Sequence, residues 1–193
     1  YATDASIYRI EPVGVVLPKD ADDVQAVLEI SGKNGVSVLP RGGGTGLSGQ
    51  TVNHAVVLDF SKYMFNVQEI NKEEQWVRTQ PGVTIDDLNR QLKSSGLFFT
   101  SDPSTTSRAN IGGAMGNNSC GAHSIVYGKT VDQVISQDVV LSDGSKTVLE
   151  QLSAGVLDAK LKSGTLEGDI YRDINAIAAN AAAAVEARFP KIL

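Results

Sequence analysis

Residues 40–50 read PRGGGTGLSGQ, five glycines in eleven positions behind a single arginine. Glycine loses more backbone freedom on folding than any other residue, so such a run needs a physical reason. It follows Val36–Leu39, an apolar segment that predicts a buried strand. A strand opening into a glycine-rich loop turns several backbone N–H groups into one concavity, and such a nest binds anions, phosphate above all. The two common nucleotide patterns do not fit. A P-loop needs Gly-x-x-x-x-Gly-Lys-Ser/Thr, and no lysine follows here. The spacing Gly-x-Gly-x-x-Gly opens a helix, and Leu47–Asn53 is a poor helix start. The plain alternative is a tight turn with no ligand, but turns rarely call for three consecutive glycines.

Upstream, Val13–Leu17 predicts a strand ending at Pro18, and Asp20 with its neighbours offers N-caps for a helix over Ala21–Asn34, which Gly35 stops. Val24, Val27, Leu28 and Ser31 share one face of that helix. Val56–Phe60 predicts a third strand, so the chain opens as a βαβ unit with parallel pairing. Downstream the pattern changes. Asn66–Asn71 and Trp76–Gln80 read as short strands, and Ile85–Ser95 as a helix ended by Gly96. Val134–Leu141 and Lys146–Leu149 flank Ser142-Asp-Gly-Ser145, the signature of a hairpin around an Asp-Gly turn. Ile170–Phe189 is alanine-rich and helical, closed by Pro190. The expected class is α+β with two subdomains: a βαβ-type part over about 1–63, then a second mixed sheet with helices over about 64–150. A helical extension over 151–193 follows.

A second small-residue stretch, TSDPSTTSRANIGGAMGNNSCG at 100–121, is followed by Tyr127-Gly128. Two such segments suit one long ligand gripped from two sides. A dinucleotide has that shape, with a pyrophosphate between two ring systems. Gly43 and Gly113 are expected to be bare so that the ligand can pass.

Totals limit the alternatives. A net charge of −5 with no basic stripe argues against a nucleic-acid surface. One cysteine, Cys120, allows no disulfide within the chain and points to a reducing compartment, hence a cytoplasmic location or one peripheral to the inner membrane face. No apolar run reaches membrane-span length, and no cysteine spacing suits an iron–sulfur cluster or other metal site. The sequence starts at Tyr1 and stops just past a helical segment, so a piece of a longer enzyme is expected.

The segments PRGGGTGLSGQ (40–50), PGV (81–83), DPST (102–105), ANIGGAMGNNSCGAHS (109–124) and YGKTVDQV (127–134) together resemble the FAD-binding domain of the vanillyl-alcohol oxidase and p-cresol methylhydroxylase (PCMH-type) family. Within it they are most similar to FAD-linked dehydrogenases of D-2-hydroxy acids: D-lactate, glycolate and D-2-hydroxyglutarate. The resemblance implies that Gly42, Gly43, Gly44, Thr45 and Gly46 face the FAD pyrophosphate, with Arg41 beside them and Ser48 completing the loop. It implies Pro81, Gly82 and Val83 against the flavin or its phosphates, and Asp102, Pro103, Ser104 and Ser107 along the path to the ring. Gly112, Gly113, Gly116, Asn118, Ser119 and Gly121 are implied in a second loop closing over the cofactor. Tyr127 and Gly128 are expected near it, and the backbone at Ile135 near the adenine.

Many relatives tether FAD through a histidine in the first glycine loop; Thr45 stands there in this chain, so non-covalent FAD is expected. Cys120 lies in a different motif from the cysteine used by other relatives and reads as a small buried residue. His123 could exchange protons near neutral pH, or simply support its loop. Arg108 could steady the flavin or be a solvated loop residue, and His54 reads as a surface residue. The resemblance places the substrate-binding groups and the base in a C-terminal domain, for which 150–193 is too short and lacks a cluster of His, Arg and acidic residues. No catalytic residue is therefore assigned, and the electron acceptor is left open. Other readings are an FAD-dependent alcohol or sugar oxidase of the same fold, or a non-enzymatic nucleotide-binding module.

Overall fold

A computed structural model describes residues 1–190. The chain divides into two compact units, one over Tyr1–Val134 and one from Ile135 onward.

The first unit opens with the expected βαβ arrangement. Strands β1 (Gly14–Val16), β2 (Val38–Arg41) and β3 (Val56–Asp59) form a parallel sheet in the order β1-β3-β2, with helix α1 (Ala21–Lys33) between β1 and β2. β3 is the central strand, and Val57, Leu58 and Asp59 are buried as a continuous run, the pattern of a strand covered on both faces. The Asp20 carboxylate caps α1 by accepting from the Asp22 and Asp23 N–H groups. β2 begins two residues later than its apolar run predicts. Leaving α1 uses Val36, whose N–H bonds the Ser31 carbonyl, and the chain joins the ladder only where Ser37 accepts from the Val56 N–H. β2 consequently ends at Arg41, and the glycines start at the sheet edge.

The α+β class holds, but past β3 the strands form two separate antiparallel pairs rather than one mixed sheet. In the first unit β4 (Val67–Asn71) pairs with β5 (Trp76–Thr79). Helix α2 (Ile85–Leu92) follows, prolonged by one tight turn over Lys93–Ser95 and stopped at Gly96 with φ +70°. Thr84 caps α2 through the Asp87 N–H. Ile85, Leu88 and Leu92 share its buried face and pack with Val83, Ala109, Ile111 and Ala114. Full burial of one such leucine contributes about 2 kcal/mol. Residues 111–117, expected as loop, form helix α3 (Ile111–Asn117). Two buried side chains, Ile111 and Ala114, hold it to this core, and Asn118 ends it in the left-handed region at φ 47°. Short helix α4 (Ser124–Tyr127) completes the unit.

In the second unit β6 (Ser136–Val140) and β7 (Lys146–Glu150) make the expected hairpin around Asp143-Gly144. Two helices follow, α5 (Ala154–Lys162) and α6 (Leu166–Arg188), the latter capped by Thr165. The alanine-rich helix thus starts four residues before its predicted Ile170. No helix among the described residues is long and apolar enough to cross a membrane.

Candidate functional site: a cleft between two glycine-bearing segments

At the end of β2 the chain enters Gly42–Gly46, which line one wall of an open cleft. The opposite wall is built from Pro103, Thr105 and Ala109, then Asn110, Gly113, Ala114 and Asn117 on α3 and its cap, and finally Ser119. The two small-residue stretches therefore meet across one space, as their sequence suggests. Gln50 Nε2 donates to Asn117 Oδ1 at 3.3 Å and links the walls.

The first wall is held from behind. The Arg41 guanidinium donates to the carbonyls of Tyr1, Thr3 and Thr51 at 3.2, 2.9 and 3.0 Å, and it also stacks over the Tyr1 ring. It supports the loop and is not among the cleft-lining groups. The Ala5 N–H bonds the Gly44 carbonyl at 3.0 Å, and Thr51, itself in the cleft lining, donates to Asp4 Oδ2 at 2.7 Å. Burial pushes the Asp4 carboxyl up, but hydrogen bonds from Ser6 and Thr51 outweigh it and hold the group at about 2. Gly43 is bare for a reason the sequence hides: a Cβ there would lie 2.1 Å from the Arg108 carbonyl oxygen, a backbone clash rather than a ligand clash. Ser48 is exposed in the bend that follows.

The second wall rests on the turn at Pro81-Gly82-Val83, which faces protein and not the cleft. The N–H groups of Ile111 and Gly112 bond the carbonyls of Val83 and Pro81, both at 2.9 Å, and Asn110 Nδ2 donates to the Gly82 carbonyl at 2.6 Å. Gly112 packs on the Pro81 ring. At Gly113 and Gly116, one turn apart, a Cβ would meet nothing within 4 Å, and Gly113 lies in the cleft lining. Glycine inside a helix costs about 1 kcal/mol relative to alanine, and at these two positions no protein neighbour requires it.

Of the remaining expected residues, Ser119 lines the cleft and the others do not. Ser104, Ser107 and Arg108 are exposed in the turns before Ala109. The Ser119 carbonyl accepts from Ser101 Oγ and Thr130 Oγ1, and Asn118 Oδ1 accepts from the Val131 N–H, which ties down the exit of α3. Asp102 accepts from the His123 N–H at 3.1 Å and sits 2.5 Å from the ring Nδ1, so the imidazole beside it holds its carboxyl below the usual range. Gly121 packs directly on the Asp102 carbonyl, and Gly128, at φ +79°, on the Asp132 carboxylate. Tyr127 makes an edge contact with Phe98, centroids 5.8 Å apart. Cys120 is exposed, not buried as its residue type suggests, and His54, also exposed, sits 3.1 Å from the Glu11 carbonyl. Ile135 is exposed in the second unit. Sequence reading missed Thr51, Thr105, Asn110 and Asn117 as cleft residues. The only signal was polar residues bracketing the glycines.

Known proteins resemble this chain in sequence and in fold. The chain is 40% identical over 194 residues to D-2-hydroxyglutarate dehydrogenase of Pseudomonas putida, covering 99% of this chain and 19% of that protein. It is 38% identical over 147 residues to glycolate oxidase subunit GlcD of Bacillus subtilis, covering 75% of this chain and 31% of the relative. The chain thus spans about a fifth to a third of the length of these relatives. Among solved structures, alkyldihydroxyacetonephosphate synthase aligns over 71% of this chain and 25% of its own, with TM-score 0.62 and 26% identity. The 6-hydroxy-D-nicotine oxidase of Arthrobacter nicotinovorans shares the fold over 77% of this chain and 32% of its own, with TM-score 0.68 and 21% identity. The FAD binding domain family matches residues 12–150, and the chain belongs to that family.

Proposed function

We propose that this chain is the FAD-binding portion of a flavin-dependent dehydrogenase that oxidises a D-2-hydroxy acid of the D-2-hydroxyglutarate, glycolate or D-lactate type. One observation carries the reading: two segments stripped of side chains face each other across one cleft, and the open face at Gly113 leaves room for an extended diphosphate. The names of the relatives supply the substrate class.

In this reading the backbone of Gly42–Gly46 holds the diphosphate, and the Gly113 face of α3 lies against the cofactor. Arg41 and the Pro81–Val83 turn keep those walls in place, and Ser48 completes the first loop. Ser104, Ser107, Asn118, Ser119 and Gly121 shape the approach, and Tyr127, Gly128 and Ile135 lie further along the cofactor. When bound, the flavin supplies a two-electron acceptor for the α-hydrogen of the substrate. Asp102 accepts from the His123 backbone N–H and faces its ring Nδ1, which orients the imidazole in its loop. Substrate-binding groups are assigned to the part of the relatives' length outside this chain. FAD is held non-covalently, since Thr45 stands where relatives carry a linking histidine.

The test is an absorption spectrum of the purified chain before and after acid precipitation. Flavin bands that leave with the supernatant are expected. Flavin that stays in the pellet overturns the non-covalent assignment, and a folded chain that remains colourless with excess FAD overturns the reading as a whole.

A further inference from the structure

The lining of the cleft offers backbone N–H groups, hydroxyls and amides, and no charged side chain. Behind the first wall the Arg41 guanidinium is committed to the carbonyls of Tyr1, Thr3 and Thr51. Two carboxylates offset its charge there. Asp4 accepts from Thr51 at 2.7 Å, and Asp59, opposite Arg41 in the β2–β3 register, accepts from the Tyr1 hydroxyl at 2.6 Å. The wall is therefore not positive, and the whole chain carries a net charge of −5. A diphosphate on the Gly42–Gly46 backbone keeps most of its charge uncompensated unless a cation comes from the rim.

Arg108 is placed to supply it. Its N–H bonds the Thr105 carbonyl at 2.8 Å, and its own carbonyl oxygen would lie 2.1 Å from a Cβ on Gly43. The next residue, Ala109, lines the cleft. The root of the side chain is thus fixed at the seam of the two walls, against the first glycine loop. The side chain itself is exposed, and its guanidinium has no hydrogen-bond or ion-pair partner among the described residues. Lys129 is the competing cation, but it adjoins Ser119 through the Thr130 N–H, which bonds the Ser119 carbonyl at 3.0 Å, and not the glycine loop. A guanidinium stays charged at every pH at which proteins fold, and its planar fork matches phosphate oxygens in pairs. We propose that Arg108 reaches over the mouth of the cleft and binds the cofactor diphosphate from the solvent side, opposite the Gly42–Gly46 backbone. This rests on the FAD reading and assigns Arg108 to the diphosphate rather than to the flavin ring.

The test titrates the purified flavin-free chain with FAD by flavin fluorescence, as wild type, Arg108→Gln, Arg108→Lys and Lys129→Gln. At low salt Arg108→Gln should bind FAD about tenfold more weakly than wild type, the scale of one charge-assisted hydrogen bond. Arg108→Lys should recover part of that loss, and Lys129→Gln should match wild type. The gap between wild type and Arg108→Gln should narrow at about 1 M salt, where charges are screened within about 3 Å. Because the Arg108 side chain holds nothing in the protein, flavin-free Arg108→Gln should melt with wild type, and the reduction potential of its bound FAD should be unchanged. Wild-type FAD affinity in Arg108→Gln overturns the inference, as does a gap that salt leaves untouched. A shifted potential in Arg108→Gln also overturns it, since the guanidinium would then face the ring. Failure of wild type to bind FAD is a different result: it removes the FAD reading itself.

Discussion

The two walls of the cleft are both rich in glycine, for different reasons. At Gly43 the missing side chain makes room for another part of the protein, the Arg108 carbonyl. At Gly113 it makes room for nothing in the protein, although the position is helical and exposed to the cleft. The first glycine serves folding, whereas no protein neighbour accounts for the second. A glycine-rich motif is therefore not one signal but two, and only the surroundings of each Cβ direction separate them.

This contrast can be broken by substitution. The largest effect is expected for Gly43→Val. It forces the loop off residues 108–110, costs about 3 kcal/mol and lowers the melting temperature of flavin-free protein by roughly 10 °C, with flavin lost as a consequence. A flavin-free melting curve like that of wild type would put Gly43 in the ligand class. Next comes Gly113→Val, where flavin retention should fall at least about a hundredfold while the flavin-free protein melts within a few degrees of wild type. Retained flavin there would mean that the cofactor does not cross α3. The sharpest form is Gly113→Ala, because the two readouts should move in opposite directions: flavin-free stability rises by about 1 kcal/mol as helix propensity improves, and FAD affinity drops. A loss of stability instead would place Gly113 with Gly43.

The smallest effect concerns the tether behind the first wall. The Asp4 carboxyl is depressed from 3.8 to about 2, so its contribution is present above the unfolded value and is lost as pH falls through the folded one. Melting temperatures of wild type and Asp4→Asn should differ at neutral pH and converge between about pH 4 and pH 2. A gap that stays constant down to about pH 2 would show that Asp4 does not hold the loop through its charge.

Local chemistry made much of this fold legible. Asp20 as a cap, Gly35 and Gly96 as stops and Asp143-Gly144 as a turn all act on near neighbours, and each stands where the sequence indicates. Helix α3 was illegible because three glycines in seven residues argue against a helix, and the restraint comes from Ile111 and Ala114 packing on α2, far away in sequence. The start of β2 slipped for a similar reason, since the turn out of α1 claims Val36. In the site, the glycines announced themselves, but the partner of Gly43 lies 65 residues downstream and that of Asn110 lies 28 residues upstream. An asparagine before Ile-Gly-Gly reads as an ordinary helix cap until Gly82 is seen to take its donor.

The grip of Arg41 on the carbonyls of Tyr1 and Thr3 has a practical side. The leading residues behave as a strap buckled onto the first glycine loop, so a fluorophore placed on a side chain of that strap would report any slackening there.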